Sequence, residues 1–493
     1  MLNATYTVFV LDNIMKSLAR SQNSSFLYQQ VVSMVLEMRD TSALRAGDKL
    51  PSLRAFSKSL SVSLPTVRQG YLELERLGVI ESRPKSGYFL KADLSALSGL
   101  QKPNMVVRPR TVKKQVLIEE VFDAIHRQGT IPLGLANPSS AYPSDKTLAR
   151  IMRRAIATPG DRALTYAPME GLPALRRQIA TRYLELGMQV NPDEVLITNG
   201  GQESIAIAVQ SVAKPGDVIA VESPTYFGVL ELIESFGMKA LEIPLCPVGG
   251  VAFSDVKNIV AGHSVKAVVL SSSVSNPLGS MQNDKDRAEI VDLLEAQDIP
   301  LIEDDVYGEL YFGKQRGGMA RMHAEKKGVL SCSSFSKTAA PGYRIGWLLP
   351  GKHLDQAKKI KRALSCSSPL LNQWVLSDFV ASGDYDRNIR MLKTVLKTNK
   401  QRALALVQEC FPSGTRVNDP QGGGVLWVEL PGGCSGYELF KRGLEHDISI
   451  APGDLFSPSQ KYKNFVRISF GVPWSDRIEI GFRTLGRLAS DSH

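Results

Sequence analysis

The stretch SCSSFSKTAAPGYRIGW, Ser331 to Trp347, sets one lysine among small hydroxyl residues and follows it with Pro341, Gly342 and Arg344. Two readings compete. Either Lys337 is a solvated amine in a turn, or it is a covalent anchor whose neighbours Ser334, Ser336 and Arg344 hold a phosphate. A lysine amine forms a Schiff base with an aldehyde, and hydroxyls beside a guanidinium suit a phosphate. The choice depends on what the rest of the chain brings to this lysine.

Outward from it, from Val195 onward, apolar runs of strand length alternate with helical stretches. EVLITNGGQESIAIAVQSVAKPGDVIAVESPTY, Glu194 to Tyr226, reads strand, glycine turn, helix, turn, strand. VKAVVLSSSVSNPLG, Val265 to Gly279, and IPLIEDDVYGELYF, Ile299 to Phe312, supply further buried strands. Repeated strand-helix-strand units predict an α/β fold with a mainly parallel sheet, ligands sitting at the carboxyl ends of the strands. Those ends carry polar side chains. Gly200, Gly201 and Gln202 open a helix directly after a strand, where backbone amides and the helix dipole favour a phosphate. Tyr226 offers a ring for stacking, and Asn276 an amide at a strand end. Asp304 ends another strand with Tyr307 three residues on, and a carboxylate there is costly unless it meets a cation such as a protonated pyridine. Lysine, phosphate cradle, pyridinium partner, stacking ring and phenol-oxygen donors are together what pyridoxal 5'-phosphate requires.

This array resembles the class I aminotransferases of fold-type I, from about Gly134 to the C-terminus. The resemblance implies a domain spanning 119–493 with a small C-terminal α+β subdomain from about 370. It implies that Lys337 carries the cofactor, Asp304 pairs with the ring nitrogen, Asn276 and Tyr307 hold the ring oxygen, and Tyr226 stacks on the ring. Gly201, Gln202, Ser334, Ser336 and Arg344 would bind the phosphate. Tyr166, in TYAPMEGLPALR, matches the residue that reaches the cofactor of a neighbouring subunit, which implies a homodimer. Arg467, in NFVRISFG, matches the arginine that grips a ligand carboxylate, so an amino compound is the expected effector.

The N-terminal quarter has a different character. Residues 1–118 hold 17 Lys+Arg against 8 Asp+Glu, leaving 42 against 41 for the remainder, so nearly all of the net charge of +10 lies at one end. Such segregation suits a polyanionic partner. In SSFLYQQVVSMVLEMRD, Ser24 and Ser25 suit capping, and Leu27, Val31, Met34, Val35 and Met38 share one helical face. A second helix follows Pro51 with Leu53, Phe56 and Leu60. A third opens at Ser63 and Pro65 and carries Val67, Tyr71, Leu74 and Leu77 along a stripe. GVIESRPKSGYFLKA closes the segment as two short strands, Val79–Ser82 and Tyr88–Lys91. Three helices and a two-stranded ribbon make a winged helix-turn-helix over residues 25–91, in which Arg68 and Gln69 suit base edges and Arg54, Lys58 and Lys85 suit phosphates.

The sequence from Phe26 to Lys91 resembles the DNA reader of the GntR family of bacterial regulators. That likeness implies DNA contacts from Arg54, Ser63, Thr66 and Arg68, with Gly87 at the wing tip. Leu64 departs from the arginine frequent in relatives just after the cap. An apolar side chain there can touch a thymine methyl but cannot pair with guanine. Residues 1–24 precede this domain, and the apolar run Thr5–Leu11 lacks a basic leader, so no export signal is expected. Residues 92–118 read as a basic linker, a solvated tether.

A GntR-like reader joined to an aminotransferase-like domain resembles the MocR subfamily of bacterial transcription regulators. The resemblance implies an operator-binding regulator that responds to pyridoxal 5'-phosphate or an amino compound, the other reading being a working aminotransferase with an accessory DNA reader. The five scattered cysteines suit a reducing compartment and give no metal-ligand spacing, no apolar run approaches the roughly 18 residues of a membrane span, and a cytoplasmic location is expected.

Overall fold

The structure, a computed structural model, describes residues 27–41, 43–93, 99–113, 115–136, 145–157, 164–271 and 273–491. The expected N-terminal extension, with its Thr5–Leu11 run and the serines Ser24 and Ser25, lies outside these residues. The chain divides into two compact units, Met1–Ala96 with Lys397–Glu409, and Leu97–Leu396 with Cys410–His493.

In the first unit α1 (Leu27–Asp40), α2 (Leu53–Leu60) and α3 (Leu64–Arg76) precede an antiparallel hairpin of β1 (Ile80–Arg83) and β2 (Gly87–Leu90). Val31, Met34, Val35 and Met38 of α1 meet Phe56, Val67, Tyr71 and Leu74 in one core closed by Ile80 and Leu90. Two residues assigned to these apolar faces stay outside: Leu27 is 54% exposed and Leu77 50%, because each sits at a helix end, beyond the reach of the facing helix. The caps are side-chain caps. Ser52 accepts from Ala55 N at 3.2 Å, and Ser63 accepts from Thr66 N at 3.2 Å, each satisfying a donor that the first helical turn leaves without a partner. Gly70 lets α3 approach α1: a Cβ there would stand 2.7 Å from Val31 Cγ1.

The second unit opens with α4 (Gln115–His126), β3 (Ile131–Pro132), α5 (Asp145–Ala157) and α6 (Pro173–Glu185). Its centre is an eight-stranded sheet of β4 (Leu196–Thr198), β5 (Val218–Ser223), β6 (Lys239–Cys246), β7 (Gly250–Val251), β8 (Ala267–Leu270), β9 (Leu301–Asp304), β10 (Val329–Ser334) and β11 (Gly346–Leu349). The spatial order is β4-β11-β10-β9-β8-β5-β6-β7, parallel except for β11 and β7. Strands β4, β8 and β10 are buried throughout, as expected for a sheet covered on both faces. The helices of this region are α7 (Gly201–Val212), α8 (Phe227–Ser235), α9 (Phe253–Gly262), α10 (Asp284–Ala296), α11 (Leu354–Leu364), α12 (Leu370–Ala381) and the long α13 (Asp384–Cys410), whose Lys397–Glu409 stretch groups with the first unit. A smaller antiparallel sheet follows. It is built of β12 (Arg416–Val417), β13 (Val425–Glu429), β15 (Ala451–Pro452) and β16 (Phe465–Ser469) in the order β12-β13-β16-β15, with α14 (Gly436–Glu445) and α15 (Asp476–Ser490), while β14 (Ile448–Ser449) pairs with β3.

The reading of residues 92–118 as a solvated tether needs correction. Arg110 exchanges two backbone hydrogen bonds with Ala240 on β6, at 2.8 and 2.9 Å, Lys102 pairs with Asp255 at 2.6 Å, and Val112 is 1% exposed within the sheet's core. The open edge of β6 offers unpaired backbone groups, and a nearby extended segment with one apolar side chain satisfies them. The segment also stops earlier than expected, since α4 begins at Gln115. Among the described residues no helix is long and apolar enough to cross a membrane.

Candidate functional site

The carboxyl ends of β4, β5, β8, β9 and β10 deliver Gly201, Tyr226, Asn276, Asp304 and Lys337 to one place. They line a cavity of about 550 Å³ that also receives Gln202, Tyr307, Ser334, Ser336, Arg344 and Arg467. Every residue assigned to the cofactor from sequence therefore faces one space, with the exception of Tyr166. That residue is 89% exposed and does not line the cavity.

The phosphate end is built by backbone economy. β4 ends at Thr198 and α7 begins at Gly201, so a short turn leaves the first amides of the helix without intrahelical acceptors. Gly200 has φ +87°, and a Cβ on it would run into the Arg344 guanidinium. A Cβ on Gly201 would stand 2.9 Å from Val306 Cγ2. Arg344, itself in the left-handed region at φ 54°, donates from Nη2 to the Asn199 carbonyl at 3.0 Å, which pins the guanidinium across the glycine turn. Ser334 and Ser336 lie hydroxyl to hydroxyl at 2.8 Å, and Arg344 Nη1 is 3.4 Å from Ser336 Oγ.

At the other end, Asp304 closes β9 and accepts from Val306 N at 3.0 Å. Enclosure raises its carboxyl to about 6, the neighbouring Asp305 and Glu303 adding to the rise while Val306 and Lys337 oppose it. Enclosure also lowers the Lys337 amine to about 8, with Arg467 and Arg344 pushing the same way and Asp304 against. The Lys337 amine lies 5.9 Å from the Tyr307 ring centroid. A lysine in this state deprotonates near neutrality, as a nucleophilic amine must.

Arg467, on β16, is 3% exposed, and burial lowers its guanidinium to about 10. It donates to Asn276 Oδ1 at 3.1 Å and to the Gly134 carbonyl at 2.7 Å, while its Nε has no partner. Gln202 donates to the Gly228 carbonyl at 2.8 Å and leaves Oε1 buried without a partner. Buried polar atoms are costly when unpaired, and both of these belong to residues that line the cavity. Tyr307 differs from expectation in one detail: its hydroxyl donates to the Ala136 carbonyl at 2.7 Å. Burial raises that hydroxyl well above the usual phenol range and raises Tyr226 to about 12, so both remain protonated donors. A glycine cradle that Cβ atoms would fill, an enclosed carboxylate on the cavity wall, and a depressed lysine fit pyridoxal 5'-phosphate.

Several lining residues carried no signal in the sequence. Phe122 and Ile125 of α4, Leu135 and Phe227 complete the wall. The helical period of Ile118, Val121, Phe122 and Ile125 was readable, but nothing in it says that one turn meets a cavity built largely from residues far along the chain.

In the first unit Arg54, Ser63, Arg68, Gln69 and Lys85 are exposed, while Thr66 and Gly87 are half-buried. Arg68 and Gln69 leave α3 on the side away from Val67, Tyr71 and Leu74. Lys85, at φ 59°, lies in the turn of the hairpin, and Gly87, at φ 106°, is the first residue of β2 rather than the tip. Ser63 and Thr66 hydroxyls are 2.7 Å apart.

Residues 27–90 match the family of bacterial regulatory proteins of gntR type, and residues 130–477 match the class I and II aminotransferases. The uncharacterized HTH-type transcriptional regulator YdcR of Escherichia coli K12 is 34% identical over 94% of this chain and 99% of its own length. The uncharacterized regulator YjiR of the same organism is 32% identical over 93% and 98%. Among solved structures, LysN, the α-aminoadipate aminotransferase of Thermus thermophilus, matches at 27% identity and a TM-score of 0.70, covering 76% of this chain and 94% of that one. The aminotransferase fold and these relatives imply pyridoxal 5'-phosphate as the cofactor.

Proposed function

Since this chain belongs to the MocR-type regulators, a gntR-family DNA reader fused to a class I and II aminotransferase domain, we propose that its second unit senses pyridoxal 5'-phosphate together with an amino compound and that this governs operator binding. The observation that carries the reading is the single cavity holding Lys337, Asp304, Arg344 and an Arg467 whose Nε has no partner, in a chain whose other unit reads DNA. The bound cofactor supplies an aldehyde for amines and a ring that draws electrons from the carbon it holds.

The chain's own residues have these tasks. Lys337 would anchor the aldehyde through its amine, which the cavity lowers to about 8 so that it can give up its proton near neutrality. Asp304 would pair as a carboxylate with the ring nitrogen. Asn276 and Tyr307 would hold the ring oxygen, and Tyr226 would stack on the ring. Gly201, Gln202, Ser334, Ser336 and Arg344 would hold the phosphate, and Tyr166 would reach the site of a second copy in a homodimer. Arg467 takes the carboxylate of the amino compound. On the first unit Arg68 and Gln69 read bases, and Arg54, Ser63, Thr66, Lys85 and Gly87 hold the backbone of the operator.

A ligand changes DNA affinity only by binding two arrangements of the protein unequally. Accordingly, absorbance of the cofactor and binding of an operator fragment are followed in the same samples across amino compounds. The expected result is a cofactor band that one compound shifts while DNA affinity changes and no oxo acid accumulates. Lys337→Ala abolishes that band; a band that persists would give the anchor to another lysine. The complete cofactor set also favours a second reading, a working aminotransferase, for which sustained oxo-acid production without any effect on DNA binding would decide.

A further inference from the structure

The charged side chains among the cavity's described lining residues are Asp304, Lys337, Arg344 and Arg467. On the reading above all four are committed, to the ring nitrogen, the aldehyde, the phosphate and one carboxylate. The polar side chains Gln202, Tyr226, Asn276, Tyr307, Ser334 and Ser336 are committed with them, and the side chains left over on the wall are apolar, Phe122, Ile125, Leu135 and Phe227 among them. The rings form a continuous set. Phe122 meets Phe227 edge-on at 6.0 Å, and Phe227 meets Phe456 at 5.9 Å. The Arg467 guanidinium carbon lies 5.0 Å from the Phe456 centroid and 5.9 Å from that of Phe227. The guanidinium that takes a carboxylate is thus bordered by aromatic rings. A second carboxylate or an ammonium entering there would give up part of its water and find no counter-charge among the described lining residues beyond those already committed.

We infer that the amino compound taken by this chain is an amino acid with one carboxylate and an apolar side chain, and that Phe122 and Ile125 of α4 read that side chain. The inference rests on Arg467 as the carboxylate site. α4 is suited to the task because its other faces are fixed. Ile118, Val121 and Ala124 are 3%, 2% and 5% exposed, and Glu120 accepts from Tyr437 Oη at 3.0 Å and pairs with Lys441 on α14. The residues that touch the ligand are therefore held on a rigid helix, and that helix begins three residues after Val112, the buried end of the segment leading from the DNA reader. The seat of the ligand side chain and the root of that segment share one short stretch of chain.

The test uses the full chain loaded with pyridoxal 5'-phosphate, with absorbance titrations of leucine, phenylalanine, glutamate and lysine. Leucine or phenylalanine is expected to half-saturate the band shift at a concentration at least about tenfold below that of glutamate or lysine. Ile125→Arg, which adds a cation to the apolar wall, is expected to move that ratio toward glutamate, and Phe122→Ala to lower it at least about threefold; either variant suffices if the other fails to fold. Glutamate acting as well as leucine on the unaltered chain, or a ratio unmoved by the variants, overturns the inference alone. A cofactor band that no amino acid shifts overturns the carboxylate reading and this inference with it.

Discussion

Asp304 and Lys337 show how a site stores cost before its ligand arrives. The folded carboxyl titrates near 6 against an ordinary value near 4, so between those values the folded chain holds a proton that the unfolded chain has lost. Stability of the cofactor-free chain from this group is therefore greatest at low pH and falls as pH rises through about 4 to 6. Asp304→Asn removes the buried charge: at pH 7.5 the cofactor-free melting temperature is expected to rise by about 2 °C, a gain that shrinks at pH 4, while cofactor affinity drops at least about tenfold, both read by melting curves with and without cofactor. Gly200→Ala makes the complementary case. Its Cβ enters the space of the Arg344 guanidinium at a φ that disfavours side chains, so phosphate and cofactor affinity should fall more than about tenfold by absorbance titration. Single residues were the legible part of this site, since Lys337, Asp304, Asn276 and the Gly200–Gly201 turn each stand near a strand end that apolar runs announce. Illegible were the pairings across the chain, such as Arg467 with Asn276 and with the Gly134 carbonyl, for which sequence spacing has no bearing on distance.

Among the elements, the proposed division of DNA binding between α3 and the hairpin turn is one that salt distinguishes. Arg68 is exposed on the outer face of α3, where the proposed reading has it meet a base edge, whereas Lys85 belongs to the turn between β1 and β2. Arg68→Ala is expected to cost about 1–3 kcal/mol on the operator and relax its sequence preference. Lys85→Ala should weaken all sequences alike and reduce the slope of log affinity against log salt by about one. Fragment-binding isotherms at several salt concentrations separate the two, and an unchanged salt slope for Lys85→Ala would remove it from the backbone set. These elements were readable because Pro51, the cap Ser63 and the interior stripe of Val67, Tyr71 and Leu74 follow local rules. Their ends were not: Leu27 and Leu77 fit the apolar period, but the period says nothing of where the opposing helix stops.

For the molecule as a whole, the partition into a basic reader and a near-neutral α/β unit followed from charge and from the alternation of apolar runs. The segment between them did not follow, because its role is fixed by a partner strand that composition cannot reveal. Arg110 closes part of β6 by two main-chain bonds, and β7 covers only Leu245 and Cys246. Anyone who isolates the second unit for biochemistry meets the consequence. A shortened chain that starts at residue 99 keeps the strand covered and should run as one sharp peak in size-exclusion chromatography. One that starts at Gln115 bares the outer edge of β6 at Ala240 and loses Val112 from the core, and should associate edge to edge and precipitate on concentration. On this account the short run of residues that looks like a dispensable join is expected to keep that half of the protein in solution.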